Sequence, residues 1–354
     1  MKHIDIVLLV SVVFLTFFGL FMIHNASSII ALSDFGDKYY YVKEQAIWMA
    51  VGFGALTFFT MFPYKKLYNF AIPLLITAIG LLILVFIPGL GVHALGASRW
   101  INFHFFVLQP AEFVKLSLAI YLAAWFSHKE KGRLPSFLLL IGTVWVLIML
   151  QPDMGTASIV AFEALVVYFL SGGALRHFAM LVPVVGVLGT IFILIAPYRA
   201  ARLTSFLNAG NLEETSYHIR QILIALGSGG LFGLGIGNSL QKYAYLPENT
   251  TDSIFAIVAE ELGFLGSVLI MLVLMLIVWR GFLIASKSPD KFGKLLAGGI
   301  ISFLGIQMIV NLAAMTALMP LTGVPLPFIS YGGSALIIDL AAVGILLNIS
   351  KHKK

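Results

Sequence analysis

Long apolar stretches recur along almost the whole of this chain, and they decide what it can fold into. Each is roughly 17–25 residues long, which is enough for an α-helix to cross about 30 Å of hydrocarbon. The alternating pattern of a membrane β-barrel is missing. With 60% hydrophobic residues, 11% charged residues and a mean hydropathy of +1.00, the sequence predicts an all-α integral membrane protein. It excludes a soluble globular domain.

The apolar pattern predicts about ten transmembrane helices in a single polytopic domain, 1–354. They lie near 6–24, 45–62, 68–88, 107–127, 136–150, 155–171, 178–197, 253–279, 295–318 and 331–349. No small-residue cleavage site follows the first span, so we expect it to remain as an anchor rather than to be removed as a signal peptide. The sequence contains no cysteine, which excludes disulfides, thiolate metal sites and a thiol nucleophile.

Charges in the links between the helices predict the orientation. If the N-terminus is cytoplasmic, the inner links and tail carry Lys65, Lys66, Lys129, Lys131, Arg133, Arg176, Arg280, Lys287, Lys291, Lys294, Lys351, Lys353 and Lys354. The outer links carry Lys38, Lys43, Arg99, Arg199, Arg202, Arg220 and Lys242. Because positive charge accumulates on the cytoplasmic side, both termini are predicted to be cytoplasmic. The net charge of +6 reflects this bias and does not indicate nucleic-acid binding.

A polar segment, 198–252, interrupts the apolar pattern between the seventh and eighth predicted helices. It is predicted to be a large extracellular loop, longer than structureless connections usually are, so we expect it to contain structure of its own. Its part 217–226 has the pattern of an amphipathic helix at the membrane interface, and several glycines then end that helix.

Several charged residues have both a structural and a functional interpretation. Glu112 and Lys115 are three residues apart on one helix face, where a structural ion pair competes equally with substrate contact. Asp153 follows a proline at a predicted helix start, where capping of the helix is favoured over binding. Arg199 and Arg202 lie just past a span, and anchoring to headgroups competes evenly with binding of a substrate phosphate.

Asp252 differs in its surroundings. It lies at the start of a predicted helix, with Glu248 four residues before it and Glu260 and Glu261 about two turns after it. A helix cap is the simplest interpretation. However, several carboxylates near one outer helix end would raise one another's pKa or gather around a cation, and either arrangement suits general-base chemistry.

Glu163 and Asp339 fall inside predicted spans, where an ionisable side chain is a functional candidate by default. Neither has a partner that the sequence identifies. Charges of this kind would serve a transport pathway through the bundle.

Five motifs resemble those of the SEDS family (shape, elongation, division and sporulation), whose best-known members are RodA and FtsW. The longest of them runs from Tyr245-Leu-Pro-Glu248 through Asp252-Ser-Ile-Phe-Ala-Ile-Val-Ala-Glu260-Glu261-Leu-Gly263. The others are Gly96-Ala-Ser-Arg99-Trp100 with Gln109-Pro-Ala-Glu112, Gln151-Pro-Asp153-Met-Gly-Thr156, Pro197-Tyr198-Arg199, and Pro325-Leu-Pro-Phe-Ile-Ser330-Tyr-Gly332-Gly-Ser334. Pro197-Tyr198-Arg199 and the segment 237–242 resemble the FtsW branch more than RodA.

The resemblance implies a SEDS-type bundle in the bacterial cytoplasmic membrane. It also implies a peptidoglycan glycosyltransferase that polymerises lipid II at the outer face for cell division or elongation, with a class B penicillin-binding protein as partner. In the family, the aspartate that matches Asp252 is the essential catalytic residue. The family commonly has His-Thr-Asp followed by a bulky apolar residue, whereas this chain has Thr250-Thr251-Asp252-Ser253.

We therefore expect Asp252 to act as general base on a sugar hydroxyl. The leaving diphosphate needs positive charge, from basic side chains or from a divalent cation, Mg²⁺ or Mn²⁺. The candidate substrate-binding residues are Arg99, Glu112, Lys115, Asp153, Arg199, Arg202, Lys242, Glu248 and Ser330. Two other classes of function remain open: a flippase that moves lipid II across the membrane, and a non-catalytic scaffold of the cell-wall synthesis complex.

Overall fold

The structure is a computed structural model, and it describes residues 4–94, 97–103, 106–128, 132–195, 200, 203–204, 206–207, 217–243 and 246–352. Eleven α-helices lie within these residues. They are α1 (Ile6–Phe35), α2 (Tyr40–Met61), α3 (Leu67–Leu84), α4 (Pro110–Ser127), α5 (Leu134–Leu150), α6 (Met154–Leu170), α7 (Leu175–Ile195), α8 (Tyr217–Gly229), α9 (Ile254–Ser286), α10 (Lys291–Met315) and α11 (Gly333–Ser350). A short 3₁₀ helix, Tyr64–Lys66, precedes α3.

The ten predicted spans correspond to the ten helices other than α8, so the predicted all-α fold is confirmed. The amphipathic helix predicted at 217–226 is also present, as α8. Two helices continue well past their predicted ends. α1 continues to Phe35 and ends at Gly36, whose left-handed backbone (φ 69°) terminates it. α9 continues to Ser286.

By length and apolar composition, five of the helices within the described residues can each cross a bilayer. They are α1, α3 together with the short helix before it (Tyr64–Leu84), α9, α10 and α11. The shorter helices α5 and α6 are also apolar. Large apolar side chains such as Phe17, Ile76, Leu139 and Met275 are exposed on the outside of the bundle. Lipid rather than water suits such a surface, so the protein is a multi-pass membrane protein.

α10 is the central helix of the bundle and packs against α4, α6 and α9. α11 packs along α2, α3 along α4, α5 along α6, and α1 along α9 and α2. α10 can occupy the centre because glycines on its surface let neighbours approach: a Cβ at Gly299 would lie 3.0 Å from Val167 of α6 and 3.3 Å from Ala119 of α4. Small residues at such contacts are typical of helix packing in membranes.

The two ends of the bundle are distinct. At one end, which we call the terminal face, Asp5 caps α1 and accepts two hydrogen bonds from Arg280 of α9, at 3.0 and 2.6 Å. The Asp5 backbone N–H also donates to Ser350 at the end of α11. Asp5 and Ser350, near the two ends of the described chain, therefore lie at the same face. Asp252 lies at the opposite end, which we call the Asp252 face.

A small three-stranded antiparallel sheet, which the sequence did not predict, lies between α3 and α4. Its strands are β1 (Gly91–Ala94), β2 (Ala97–Asn102) and β3 (Val107–Leu108), in the order β1-β2-β3. β3 leads directly into α4, and the Val107 carbonyl accepts a hydrogen bond from Ser334 near the start of α11. The sheet is thus attached to the Asp252 face.

Candidate active site

Asp252 lies in a tight turn, Glu248–Ser253, that leads into α9. The Glu248 carbonyl accepts hydrogen bonds from the backbone N–H groups of Thr251 (3.2 Å) and Ser253 (3.1 Å). The Glu248 side chain accepts a bond from the Thr251 hydroxyl at 2.9 Å. Glu248 is exposed and adopts a positive φ of 50°. Its contacts form the turn that presents Asp252, whose side chain is only partly buried.

The backbone of this turn is held by α10 and by the loop that precedes α11. The Ser330 hydroxyl donates to the Thr251 carbonyl at 2.6 Å, and the Tyr331 N–H donates to the Thr250 carbonyl at 2.9 Å. The Asn311 amide of α10 donates to the Asp252 carbonyl at 2.9 Å. Three successive carbonyls of the turn are therefore fixed by three separate donors, which restricts the position of the Asp252 carboxylate.

α8 reaches the same turn through a histidine. His218 Nε2 lies 2.7 Å from the hydroxyl of Ser253, the residue after Asp252. α8 packs along α9, so this contact joins the long loop to the start of the helix that carries the candidate base. The family motif has a histidine where this chain has Thr250, and here an imidazole approaches the turn from another element.

A glycine leaves space beside the carboxylate. A Cβ added at Gly323 would lie 3.5 Å from Asp252 Oδ2, and Gly323 has a positive φ of 74° that other residues rarely adopt. Asn311 also donates to the carbonyl of the following residue, Val324, at 2.8 Å. The same amide therefore joins the Asp252 turn to the segment that contains Gly323.

Tyr331 completes the loop next to the turn. Burial, followed by the nearby negative charge of Glu44, raises the pKa of Tyr331 to about 12. Its hydroxyl therefore stays neutral at physiological pH. Its ring packs edge-on against Tyr41 of α2 at 5.2 Å between centroids, which anchors the loop to the bundle.

Glu260 and Glu261 do not gather around Asp252 as a shared acidic cluster. Glu260 accepts hydrogen bonds from the Ser239 hydroxyl and from the backbone N–H groups of Leu240 and Gln241. Glu261 accepts bonds from Asn25 of α1 and from the Ser239 N–H. Both carboxylates are buried, and they bind the loop that follows α8 to the start of α9.

Lys242 belongs to the same structural cluster. Its ammonium donates to Asn25 at 3.1 Å and to the Gly237 carbonyl, and it lies 3.7 Å from Glu261. This loop packs directly against Gly263, where a Cβ would lie only 2.2 Å from the Gly233 nitrogen. The backbone of Gly263 is also not helical (φ 68°, ψ −168°). These contacts hold the loop in place, and none of them is to the Asp252 turn.

The predicted pair of Glu112 and Lys115 is a buried ion pair at the beginning of α4, inside the bundle. Lys115 Nζ lies 2.7 Å from Glu112 Oε2, and both side chains are almost completely buried. Lys115 also donates to Gln307 Oε1 of α10, and Gln307 Nε2 donates to the Pro325 carbonyl at 3.1 Å. The pair is therefore connected, through Gln307, to the loop that holds the Asp252 turn.

Arg99 and Asp153 lie together where β2 meets the start of α6. Arg99 donates to the carbonyls of Gln151 and Pro152. Asp153 caps α6, accepting from the Thr156 N–H at 3.0 Å and the Thr156 hydroxyl at 2.8 Å. The capping interpretation of Asp153 is thus the one that the structure shows.

Glu163 and Asp339 are both buried within the bundle. Within the described part of the chain, neither Glu163 oxygen has a hydrogen-bond partner, and Asp339 Oδ1 has none. Arg199 and Arg202, the other two candidates for phosphate binding, lie outside the described residues.

Three residues at the site were not identified from the sequence: His218, Gln307 and Asn311. Gln307 and Asn311 carry a signal that could have revealed them, because polar residues four apart lie on the same face of an otherwise apolar helix. His218 carries no such signal, since Ser253 is far from it in the sequence.

Comparison with known proteins identifies the family. The sequence model of the FtsW/RodA/SpoVE family, described as "Cell cycle protein", matches residues 6–354. The chain belongs to this family. It is 40% identical to the stage V sporulation protein E of Bacillus subtilis over 359 residues, covering 99% of this chain and 98% of that protein.

Two further similarities cover almost the whole chain. The probable peptidoglycan glycosyltransferase FtsW of Geobacter sulfurreducens is 38% identical over 361 residues, covering 100% of this chain and 96% of that protein. A chain of a solved peptidoglycan synthase complex has a TM-score of 0.80 at 27% identity, with 98% and 97% of the two chains covered. RodA of Thermus thermophilus has a TM-score of 0.73 at 27% identity, with 99% and 97% covered.

Proposed function

We propose that this protein is a peptidoglycan glycosyltransferase that polymerises lipid II into glycan strands, with Asp252 as the general base. The names of its FtsW relatives and its similarity to a synthase complex support this activity. The observation that carries the assignment to Asp252 is its turn. Hydrogen bonds from Ser330, Tyr331 and Asn311 fix the backbone, while the carboxylate remains partly exposed at the end of the bundle.

The chemistry requires a proton acceptor at a fixed position. A sugar hydroxyl of one chain attacks the anomeric carbon of another, so a C–O bond forms there as the bond to the diphosphate-lipid breaks. The proton of the hydroxyl goes to Asp252, and the electron pair leaves with the diphosphate. A base held in place makes the attack effectively intramolecular, and positioning of this kind contributes much of the rate in enzymes.

The orientation belongs to the proposal as well. In the described part of the chain, the terminal face carries Lys65, Lys66, Arg133, Arg176, Arg280, Lys287, Lys291, Lys294 and Lys351. The Asp252 face carries Lys38, Lys43, Arg99, Arg220 and Lys242. By the positive-inside rule, the terminal face is cytoplasmic and Asp252 lies at the outer face of the bacterial inner membrane. A class B penicillin-binding protein, which would crosslink the new strands, is the proposed partner.

The proposal includes a divalent cation, Mg²⁺ or Mn²⁺, only as an ion that is bound by the substrate. No group of three His, Cys, Asp or Glu side chains within the described ranges comes together to hold a metal ion. The described residues therefore offer no three-ligand metal site. Magnesium commonly binds through substrate phosphates with one or two carboxylates, and the diphosphate of lipid II would be the main ligand here.

The test compares Asp252→Asn with Asp34→Asn in purified full-length protein, reconstituted in vesicles that contain lipid II. Asp34 is an exposed carboxylate at the end of α1 on the same face, so it controls for loss of charge. Removal of a general base costs about 10²–10⁴-fold. We expect a loss of polymer of that size in Asp252→Asn and none in Asp34→Asn. Normal glycan synthesis by folded Asp252→Asn would remove the assignment.

The same vesicles distinguish the flippase and the scaffold. A labelled lipid II analogue scores transfer between leaflets separately from polymer on a gel. We expect polymer without accelerated transfer. Transfer without polymer would support the flippase, and neither activity in the presence of a penicillin-binding protein would support the scaffold.

A further inference from the structure

A second concave site lies at the terminal face, far from Asp252. It is a cavity of about 580 Å³ between the α4–α5 link, the α6–α7 link and the start of α10. Three helices connect the two faces: α4, α6 and α10 each begin or end near the Asp252 site and have their other end at this cavity. Lys291 and Asn311 are twenty residues apart on α10, about 30 Å along the helix.

The cavity is lined by cationic and imidazole side chains from four separate places in the chain. They are His128, Arg133, Arg176, His177 and Lys291. No acidic residue is among the described residues that line it. Like charges brought together repel one another unless an anion lies between them, and the repulsion is strongest where water is partly excluded. The positive charge of Arg176 and Lys291 in this lining therefore favours an anionic ligand.

Part of the lining is held in place before any ligand binds. Arg133 donates to the Trp125 carbonyl, and its guanidinium lies 6.0 Å from the Trp125 ring and 5.9 Å from the Phe126 ring. The His177 ring is fixed by the Tyr168 hydroxyl at 2.6 Å. A preorganised arginine loses little side-chain freedom when it binds a phosphate, so its geometry favours phosphate over a diffuse counterion.

The two remaining cations are exposed. Within the residues that the structure describes, neither Arg176 nor Lys291 lies within ion-pair distance of a carboxylate. The carboxylate next to Lys291 in sequence, Asp290, instead caps α10 and contacts the Tyr64 hydroxyl and Lys65. Arg176 and Lys291 can therefore turn toward a ligand in the cavity without breaking a salt bridge.

The volume and position of the cavity indicate the kind of phosphate. A volume of about 580 Å³ is typical of a site for an organic ligand and far exceeds what a phosphate ion needs. The cavity lies at the end of membrane-spanning helices, where phospholipid headgroups lie, and its lining includes Phe126, Tyr168 and Leu134. Basic pockets between helices at the cytoplasmic side of membranes commonly bind anionic headgroups.

We propose that this cavity binds the phosphate headgroup of an anionic phospholipid in the leaflet at the terminal face. Arg176 and Lys291 bind the phosphate oxygens next to Arg133, and the rings of Phe126 and Tyr168 cover the glycerol region. The bound lipid joins the α4–α5 and α6–α7 links to the start of α10, and it stabilises the bundle because it binds the folded state. The proposal does not depend on the chemistry at Asp252.

The test uses the purified full-length protein and two double variants with the same loss of charge. Arg176→Gln with Lys291→Gln changes the cavity. Lys66→Gln with Lys287→Gln changes two exposed cations of the same face that do not line the cavity. Native mass spectrometry counts bound phosphatidylglycerol against phosphatidylcholine, and thermal unfolding in phosphatidylcholine confirms that each variant folds.

We expect selective retention of phosphatidylglycerol by the wild type and a loss of its affinity of about tenfold or more in the cavity variant. The matched variant should stay within about twofold of wild type. Equal losses in both variants would show a general surface-charge effect and overturn the proposal. Binding of inorganic phosphate that depends on Arg176 and Lys291, without selectivity for phosphatidylglycerol, would also overturn it, because free phosphate would then be the ligand.

Discussion

Replacing Asn311 with leucine should impair catalysis more than it impairs folding. Asn311 is buried, and its amide donates to the carbonyls of Asp252 (2.9 Å) and Val324 (2.8 Å). Leucine has a similar shape but no donor, so both bonds are lost. In membrane proteins such bonds contribute on average about 0.6 kcal/mol each, whereas a buried carbonyl left without a donor costs about 1–3 kcal/mol. Two lost bonds amount to about 1 kcal/mol and two carbonyls without a donor to about 2–6 kcal/mol, so the expected destabilisation is about 1–6 kcal/mol.

The effect on activity follows from geometry rather than from stability. Without its amide, the Asp252 carbonyl loses its bond to α10, and the turn can shift relative to Gly323. A displacement of about 1 Å in an active site can cost 10²-fold in rate. We expect the rate of glycan synthesis per folded molecule to fall by about tenfold to 10²-fold, measured as initial rates with lipid II in vesicles.

Asn348 provides the matched control. It is also a buried asparagine with two hydrogen bonds, to the Tyr64 N–H (3.0 Å) and the Thr60 carbonyl (2.8 Å), but it lies at the terminal face. Asn348→Leu should lower the melting temperature by a similar amount while its rate per folded molecule stays within about twofold of wild type. Equal loss of activity in the two variants, or full activity in Asn311→Leu, would refute the positioning of Asp252 by α10.

Three further experiments test other parts of the structure. Lys115→Met should lower the free energy of unfolding by about 3–5 kcal/mol, because it leaves the Glu112 carboxylate buried without its cation. Adding Glu112→Gln should restore most of that stability, and a double variant without recovery would contradict the ion-pair argument. Glu163→Leu should leave the melting temperature unchanged or raise it, since its carboxylate has no hydrogen-bond partner in the described part of the bundle, and a marked fall would reveal a hidden partner. His218→Ala should lower the rate of polymerisation several-fold. If His218 and Ser253 act through their shared hydrogen bond, adding Ser253→Ala should lower the rate little further, and additive losses in the double variant would exclude that coupling.

The fold was predictable because lipid imposes one requirement on every span. A backbone in hydrocarbon must satisfy its own hydrogen bonds, so an apolar stretch of sufficient length forms a helix whatever its neighbours are. The ends of the helices were less predictable. α9 continues past its predicted end, to Ser286. It also changes direction at Gly263, where the Gly233 loop packs against it.

The sheet of β1, β2 and β3 was missed for a related reason. Its residues have no strong period of their own, and its strands are stabilised by pairing with one another and by the bond between Ser334 and Val107. The candidate base was predictable from its motif. The supports of its turn were not, because Asn311 and His218 reach the turn from elements that are distant in sequence, and Ser330 was predicted to bind substrate rather than to hold the turn.

The arrangement around Asp252 gives the Glu112–Lys115 pair a role that does not require contact with substrate. Lys115 donates to Gln307, and Gln307 donates to the Pro325 carbonyl in the loop whose Ser330 binds the Asp252 turn. Because the pair is buried, any change in its geometry is transmitted through packed atoms rather than absorbed by water. Loss of activity after mutation of either residue would therefore not show that it binds lipid II. The loss should be accompanied by a change in stability, whereas a residue that only binds substrate should leave stability unchanged.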